Sequence, residues 1–363
     1  MSPSIGVTHV PSEGPDNATA FFVGEAPGGE EAARGSPFIG RAGDLLIRYL
    51  DRNGANRNSV YLSNLCRYRP PRNKFEALLD TPQLEEGLAE LQREIEHVNP
   101  NCIIALGSWP LYLLTGMSGK KAGTGILKWR GSRLTSLPRW GSRKVFASMH
   151  PSFVLRVWDM NPVFNLDIKH ALEDAEYPEL RAPKYESHID PPPDELYDLV
   201  HEALDADYIS LDIETFPGGR FSCIGFAYRR RDGTDCGVCI TLDRPDLTRY
   251  VKEIWESDTP KIFQYGTYDT AFMRYFYNWR IGGYYDGMGH DTYVAAASLL
   301  PDYPRNLGFL CSIYTRFPYY KEERKLWKEE DDMTSLWEYN IKDIVGTMHV
   351  AYAQMGEIGE LYE

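Results

Sequence analysis

From His97 to Trp158 the chain contains no aspartate and no glutamate, in a protein of 363 residues whose formal net charge is −13. It also lacks any uninterrupted apolar run of about 18 residues, the length a helix needs to cross a bilayer. Met1 to Asn17 has no basic start followed by an apolar core, so it does not read as a secretory signal. Cysteine is sparse. Cys66, Cys102, Cys223, Cys236, Cys239 and Cys311 are scattered without the paired spacing of a disulfide framework, and a reducing, cytoplasmic setting is expected. Cys236 and Cys239 would make half of a four-ligand metal site, but no second pair exists. There is no internal repeat and no low-complexity tract.

Hydrophobic residues make up 43% of the chain, enough for two cores in a length that suits two domains. The acidity is uneven: residues 1–178 carry a net +1 and residues 179–363 a net −14. The acid-free stretch holds Lys120, Lys121, Lys128, Arg130, Arg133, Arg139, Arg143, Lys144 and Arg156, and a second basic run is Arg67, Arg69, Arg72 and Lys74. Such runs make either a phosphate-binding face or an ordinary solvated one, and charge alone leaves both open.

The Pro-rich, aperiodic residues 179–193 read as a linker between domains at 1–178 and 194–363. In the first domain apolar runs alternate with helical stretches. Strands are expected at Ala20–Gly24, Val60–Leu65, Cys102–Leu106 and Lys144–Ser148, and helices at Ala42–Asn53, Pro82–Val98 and Ser108–Leu114. That alternation predicts an α/β fold with a parallel sheet, whose ligands bind at the C-terminal ends of the strands. In the second domain Tyr208–Glu214, Cys223–Arg229 and Val238–Leu242 read as a three-strand meander. Helix Leu247–Glu256, strand Lys261–Gln264 and mostly helices follow, an α/β layout with a mixed sheet.

Asp212 and Glu214 end an apolar strand, and residues two apart on a strand share a face. Two neighbouring carboxylates repel unless a cation lies between them, and hard divalent ions with oxygen ligands meet that need. A lone Asp-x-Glu also flanks ordinary turns. Here Asp269 follows in a strand that runs into a helix, and Tyr339 and Asp343 stand four apart in a helical pattern, hence on one face.

These three motifs resemble those of the DEDDy 3′→5′ exonucleases, in particular the proofreading domain of family A DNA polymerases. The segment with Asp291, Thr292 and Leu307 is also similar. The resemblance implies a ribonuclease H-like fold and two Mg2+ or Mn2+ ions held by Asp212, Glu214, Asp269 and Asp343, with Tyr339 orienting the attacking water. Nucleoside 5′-monophosphates would be released from single-stranded or frayed 3′ ends of DNA. The sequence departs from the family at Tyr265, where an asparagine is frequent.

In the first domain, Gly24-Glu25-Ala26-Pro27-Gly28 follows a strand directly. Pro37-Phe38-Ile39-Gly40-Arg41-Ala42-Gly43 comes next, then Asn64 ahead of Pro70-Pro71, then His150-Pro151-Ser152 with Leu155-Arg156. Each lies where a parallel sheet puts its site. Together they resemble the uracil-DNA glycosylase superfamily, most closely its family 4 branch. That resemblance implies that Phe38 stacks on a flipped base and Asn64 reads its edge. His150 would donate to the oxygen that gathers charge, Glu25 would hold the attacking water, and Arg156 would grip phosphate or wedge the gap.

Family 4 members carry four cysteines on an iron–sulfur cluster. None precedes Phe21 here, Tyr68 stands at the position ahead of Pro70-Pro71, Cys66 is two residues early, and helix 83–97 has none, so no cluster is expected. The domain is then either a working glycosylase or an inert reader of DNA or uracil. The pairing of the two domains resembles the front end of certain phage family A polymerases. With no palm, fingers or thumb after Glu363, the expectation is a fragment or an accessory subunit of a polymerase, without membrane attachment, in the cytoplasm of a phage-infected bacterial cell.

Overall fold

The computed structural model describes residues 5–216, 219–241, 245–285, 289–321, 323–324 and 333–362. The chain divides into two compact units, Met1–Ala182 and Pro183–Glu363.

The first unit is built on β1 (Ala20–Gly24), β2 (Tyr61–Asn64), β3 (Cys102–Leu106), β4 (Arg133–Thr135) and β5 (Lys144–Ser148), in the order β2-β1-β3-β5-β4. The first, second, third and fifth strands pair in parallel. β1, β3 and β5 are buried along their whole length, as strands covered on both faces must be. Helix Pro82–Val98 buries Leu84, Leu91, Ile95 and Val98 at helical spacing. It starts on a Thr81 cap with proline in the first turn and stops at left-handed Asn99.

The sheet is parallel as expected apart from one edge strand that the sequence did not show, β4, which runs antiparallel on β5. Its three residues contain a single apolar side chain, too little for a periodic signal. Part of the two basic runs faces neither phosphate nor solvent, the two readings that charge left open. Arg130 is buried against Asp167, which also accepts from Ser148 Oγ at 3.0 Å. Arg133 is buried on Asp174 at 2.6 Å, and Lys144 donates to the carbonyls of Asp174 and Tyr177, each at 2.5 Å. Arg67, from the second basic run, is buried on Glu94 at 2.6 Å and Glu90 at 3.1 Å. Their acids come from outside the basic runs, so local charge counting mistook core ion pairs for surface.

The second unit has β6 (Glu186–Ile189), β7 (Ile209–Thr215), β8 (Phe221–Arg229), β9 (Asp235–Ile240), β10 (Lys261–Phe263) and β11 (His290–Asp291), in the order β11-β10-β7-β8-β9-β6. β7, β8 and β9 form the antiparallel meander, while β10, β11 and β6 join in parallel, so the sheet is mixed as expected. β6 lies inside residues 179–193. It is short, polar and at the sheet edge, which is why it reads as linker. Helix Pro193–Leu204 also went unread, although Leu196, Leu199, Val200 and Ala203 recur at helical spacing and are buried. The expected end of the third meander strand, Leu242, lies outside the described residues.

One face of this sheet packs Ile209, Leu211 and Ile213 of β7 into a core with Leu247, Trp255 and Met273. The other face, carrying Asp212 and Glu214, lies under helix Met333–Tyr362. Two glycines let that helix come close. A Cβ at Gly225 would meet Ile344 Cδ1 at 2.9 Å and overlap Asn340, and one at Gly237 would meet Ile341 at 2.8 Å. Gly225 pairs with Asp212 in the sheet.

Arg130→Met leaves Asp167 buried without its cation, and the expected loss is about 3–5 kcal/mol of stability. Urea unfolding of the first unit within the full chain measures it, and an unchanged midpoint would refute the structural weight given to this pair.

Candidate functional site

The second unit gathers Asp212, Glu214 and Asp343 so that one oxygen of each lies within 4.8 Å of the others. β7 supplies the first two from one face, and helix Met333–Tyr362 supplies the third. Burial, then the charges of Asp269, Glu214 and Asp343, holds the Asp212 carboxyl well above its usual range. Glu214 is pushed up by burial and by Asp343, with Arg324 opposing.

Each of these acids has one oxygen held by a neighbour. Asn340 Nδ2 donates to Asp212 Oδ2 at 2.9 Å, Arg324 Nε to Glu214 Oε2 at 2.9 Å, and Lys321 Nζ to Asp343 Oδ2 at 2.5 Å. Among the described residues, buried Asp343 Oδ1 has no hydrogen-bond partner, the kind of atom a cation would satisfy. The cluster offers oxygen alone, a donor set that suits Mg2+ and Mn2+.

Tyr339 and Asp343 share a helix face, and Lys321 Nζ donates to both, reaching the Tyr339 hydroxyl oxygen at 2.7 Å. Burial and then Asp343 push the phenol upward, so Tyr339 stays protonated. Asp269 stands apart from the three-acid cluster. Its Oδ1 accepts the Ile213 amide at 3.0 Å from the first turn of helix Thr267–Tyr277, and burial raises its carboxyl to about 7. Tyr265 occupies a left-handed backbone, φ 64°, a conformation that favours asparagine over tyrosine. Its amide donates to Asp291 Oδ1 at 3.1 Å, and Asp291 also caps helix Thr292–Leu299.

In the first unit, Glu25, Phe38, Asn64, His150 and Arg156 line one cavity of about 270 Å3. It opens where β1, β2 and β5 end. Gly24 pairs with Asn64, and a Cβ there would lie 2.5 Å from Asn64 Oδ1 and 2.8 Å from Phe38 Cζ, so only glycine leaves room for both side chains. Phe38 has φ 52°, and its amide and that of Gly28 both donate to the Glu31 carboxylate. Arg57 Nη1 donates to the Phe38 carbonyl at 3.1 Å.

His150 Nδ1 accepts the Ser152 amide at 3.1 Å, which puts the ring proton on Nε2. Burial, helped by Arg156, lowers this imidazole to about 4, so it is a neutral donor near pH 7. Glu25 is raised to about 7, first by burial and then by Glu76.

A cluster bound by four thiolates does not fit this unit. Cys66 and Cys102 are its only cysteines. Cys66 Sγ donates to the Gln83 carbonyl at 3.5 Å, and Cys102 is buried in β3. The N-terminal segment is held by other means. Gly6 and Val10 amides donate to the Arg69 and Arg67 carbonyls, and His9 meets Tyr68 edge-on at 5.6 Å. Arg67 also donates to the Asn64 carbonyl at 2.8 Å, tying this network to the cavity.

Lys321, Arg324, Asn340, Glu31 and Arg67 were not readable as site residues. Each acts by where the fold brings it, and none sits in a motif of its own.

Residues 11–175 match the model of the uracil DNA glycosylase superfamily, and residues 191–357 that of a 3′-5′ exonuclease family. The type-4 uracil-DNA glycosylase of Thermotoga maritima is 41% identical over 150 residues, 40% of this chain and 71% of that protein. The DNA polymerase of Bacillus phage SP01 is 32% identical over 146 residues, 40% of this chain and 14% of the polymerase. Among solved structures, the Trypanosoma brucei RNase D complex with RNA U12 aligns at TM-score 0.39 and 15% identity, over 48% of this chain and 63% of that one. The chain thus spans less than two thirds of it. No helix among the described residues is long and apolar enough to cross a membrane.

Mn2+ at 100-fold excess over its Kd is expected to stabilise the protein by about 2.7 kcal/mol relative to EDTA. Asp343→Asn should remove most of that gain in a thermal melt; a wild-type melt indifferent to Mn2+ would contradict the cation site.

Proposed function

The chain belongs, through residues 11–175, to the uracil DNA glycosylase superfamily and, through residues 191–357, to a 3′-5′ exonuclease family; from that premise we propose a DNA-processing enzyme that trims 3′ ends in the second unit and excises uracil in the first. The observation that carries the first half is the three-carboxylate cluster with the Tyr339 hydroxyl bound to the same lysine as Asp343.

Asp212, Glu214 and Asp343 would hold divalent ions, with Asp269 behind them. When bound, such ions lower the pKa of water and neutralise the leaving oxygen. Tyr339, kept protonated by its burial, donates to or orients the water that attacks phosphorus. Water adds to the terminal phosphodiester, the bond to the 3′ oxygen of the preceding nucleotide breaks, and a nucleoside 5′-monophosphate leaves. A single-stranded or frayed end suits a buried acid cluster, because a duplex terminus has to unpair to reach it. Proofreading beside a polymerase partner is supported by the exonuclease family and by the partial likeness to the phage polymerase.

In the first unit the roles follow from the cavity. Phe38 supplies a face for the extruded base, and the Asn64 amide offers both donor and acceptor to a uracil edge. Neutral His150 donates from Nε2 to the uracil oxygen that gathers charge as the glycosidic bond breaks. The Glu25 carboxylate holds water for the sugar carbon that the base leaves, and Arg156 reaches phosphate. The supporting observation is that the five residues meet in one cavity.

The two activities separate cleanly. Asp212→Ala should abolish release of 5′-mononucleotides from a 3′-labelled strand, and full retention would remove the acid cluster from the reaction. With EDTA present, a 5′-labelled single strand bearing one uracil should break at that position after hot alkali, except with His150→Ala. Binding without any break would instead make the first unit a reader of DNA. Glu25 works as the ionised base, so uracil excision should climb about tenfold per pH unit below 7 and level off above it. Glu25→Gln should be slow and flat across that range.

A further inference from the structure

The segment ahead of β1 runs along the outer edge of β2, the strand that ends in Asn64. Glu13 meets Leu62 there in a one-residue antiparallel bridge. Its amide donates to the Leu62 carbonyl at 3.0 Å, and the Leu62 amide donates back at 2.7 Å. The Glu13 carboxylate reaches the loop that carries Phe38. We propose that Glu13 is a positioning residue for base recognition, which sets the spacing between the Phe38 ring and the Asn64 amide; this rests on the base-excising reading of the cavity given above.

Three observations carry it. The first is the backbone of Phe38. At φ 52° a bulky aromatic residue lies in a region it rarely adopts, and such a conformation persists only where its surroundings over-determine it. The Phe38 amide is held from within the loop by Glu31. The carbonyls are held from outside it. Arg57 donates through Nη1 to the Phe38 carbonyl at 3.1 Å and through Nη2 to the Pro37 carbonyl at 2.6 Å. Helix Arg41–Arg52 closes a third side, where a Cβ at Gly43 would lie 2.1 Å from the Phe38 carbonyl carbon.

The second is what holds Arg57. Glu13 Oε2 accepts from Arg57 Nη2 at 2.5 Å, while Glu13 Oε1 accepts from the hydroxyl of Ser36, two residues before Phe38. Both carboxylate oxygens are spent on placing one loop. The side chains of Glu13 and Arg57 are 38% and 25% exposed, and a pair so placed adds little to stability. Its consequence is direction: a planar guanidinium that serves two carbonyls and a carboxylate is fixed in orientation.

The third is that the segment cannot slide. A Cβ at Gly14 would lie 2.6 Å from the Tyr61 Cα and from the Val60 carbonyl oxygen, so the chain leaves β2 at a point that only glycine fits. On the other side of Glu13, Ser12 Oγ donates to Glu94 at 2.9 Å and the Val10 amide to the Arg67 carbonyl at 3.0 Å. Glu13 is thus a strut, with its backbone on the strand of Asn64 and its carboxylate on the loop of Phe38. A planar base has to meet that ring with its face and that amide with its edge, and a small misplacement of either is felt in the rate.

The test uses the full chain in EDTA with a 5′-labelled single strand bearing one uracil. Glu13→Gln keeps an acceptor for Ser36 but removes the charge that holds Arg57. It should lower kcat/KM for uracil excision about tenfold while leaving the melting temperature unchanged. On a Phe38→Ala background the same substitution should cost less than about twofold, because the strut then has no ring to place. Arg57→Gln should repeat both results, which keeps the test open if Glu13→Gln folds poorly. Excision by Glu13→Gln at the wild-type rate, or fully additive losses with Phe38→Ala, would overturn the role.

Binding separates this role from the reading beneath it. The wild type should bind the uracil strand more tightly than the same strand with thymine. Glu13→Gln should shrink that ratio and leave the affinity for the thymine strand unchanged. A wild type that neither cuts nor prefers the uracil strand removes the base slot, and the role of Glu13 with it. A wild type that does both, with Glu13→Gln equal to it, removes Glu13 alone.

Discussion

Bringing three carboxylates within 4.8 Å of one another in a mostly buried place is the constraint around which the second unit is organised. Like charges at that separation in a medium of reduced dielectric repel strongly, and burial adds its own penalty to each. The carboxyls of Asp212 and Glu214 respond by holding their protons more tightly. The sheet and the long helix keep them there nonetheless. Gly225 and Gly237 let helix Met333–Tyr362 settle onto the strands, and Asn340 reaches Asp212 from directly above Gly225. A divalent cation would relieve the repulsion further, and the oxygen-only donor set is suited to it.

The neighbours of the acids are arranged to the same end. Asn340, Arg324 and Lys321 each hold one oxygen of one acid. Fixing the outer oxygen of a ligand is how surrounding side chains orient a metal site before the ion arrives. Lys321 does this for Asp343 while also holding the hydroxyl of Tyr339, so one ammonium sets the direction of a candidate ligand and of the phenol proposed to orient water.

The first unit solves a different problem. Its cavity needs a ring, an amide and an imidazole brought together from three loops. Gly24 provides the space, and Glu31 gathers the Gly28 and Phe38 amides into a rigid loop. This unit has two cysteines, Cys66 and Cys102, too few for a cluster held by four thiolates. The buried Arg67, on Glu90 and Glu94, links the N-terminal segment to Asn64. Removing Arg67 would leave Glu90 and Glu94 without their shared cation, so the network acts as a staple for this segment.

The sequence by itself determined the two α/β layouts and the order and spacing of Asp212, Glu214, Asp269, Tyr339 and Asp343. It also set the strand ends and loops that carry Glu25, Phe38, Asn64 and His150. These are local facts: strand alternation puts two acids on one face, helical spacing puts Tyr339 and Asp343 on another, and loops after parallel strands open at one end. Only the tertiary structure decided which charges are available. Arg130, Arg133 and Lys144 look like a basic surface in one dimension and are core groups in three, because their partners lie tens of residues away. For the same reason, Lys321 and Arg324 carry no signature until the fold sets them on Asp343 and Glu214. Asp269 shares its motif's spacing yet spends one oxygen on the Ile213 amide outside the three-acid cluster. Periodicity reports which way a side chain points from its own element, whereas its partner, its burial and hence its charge state are properties of what packs against it.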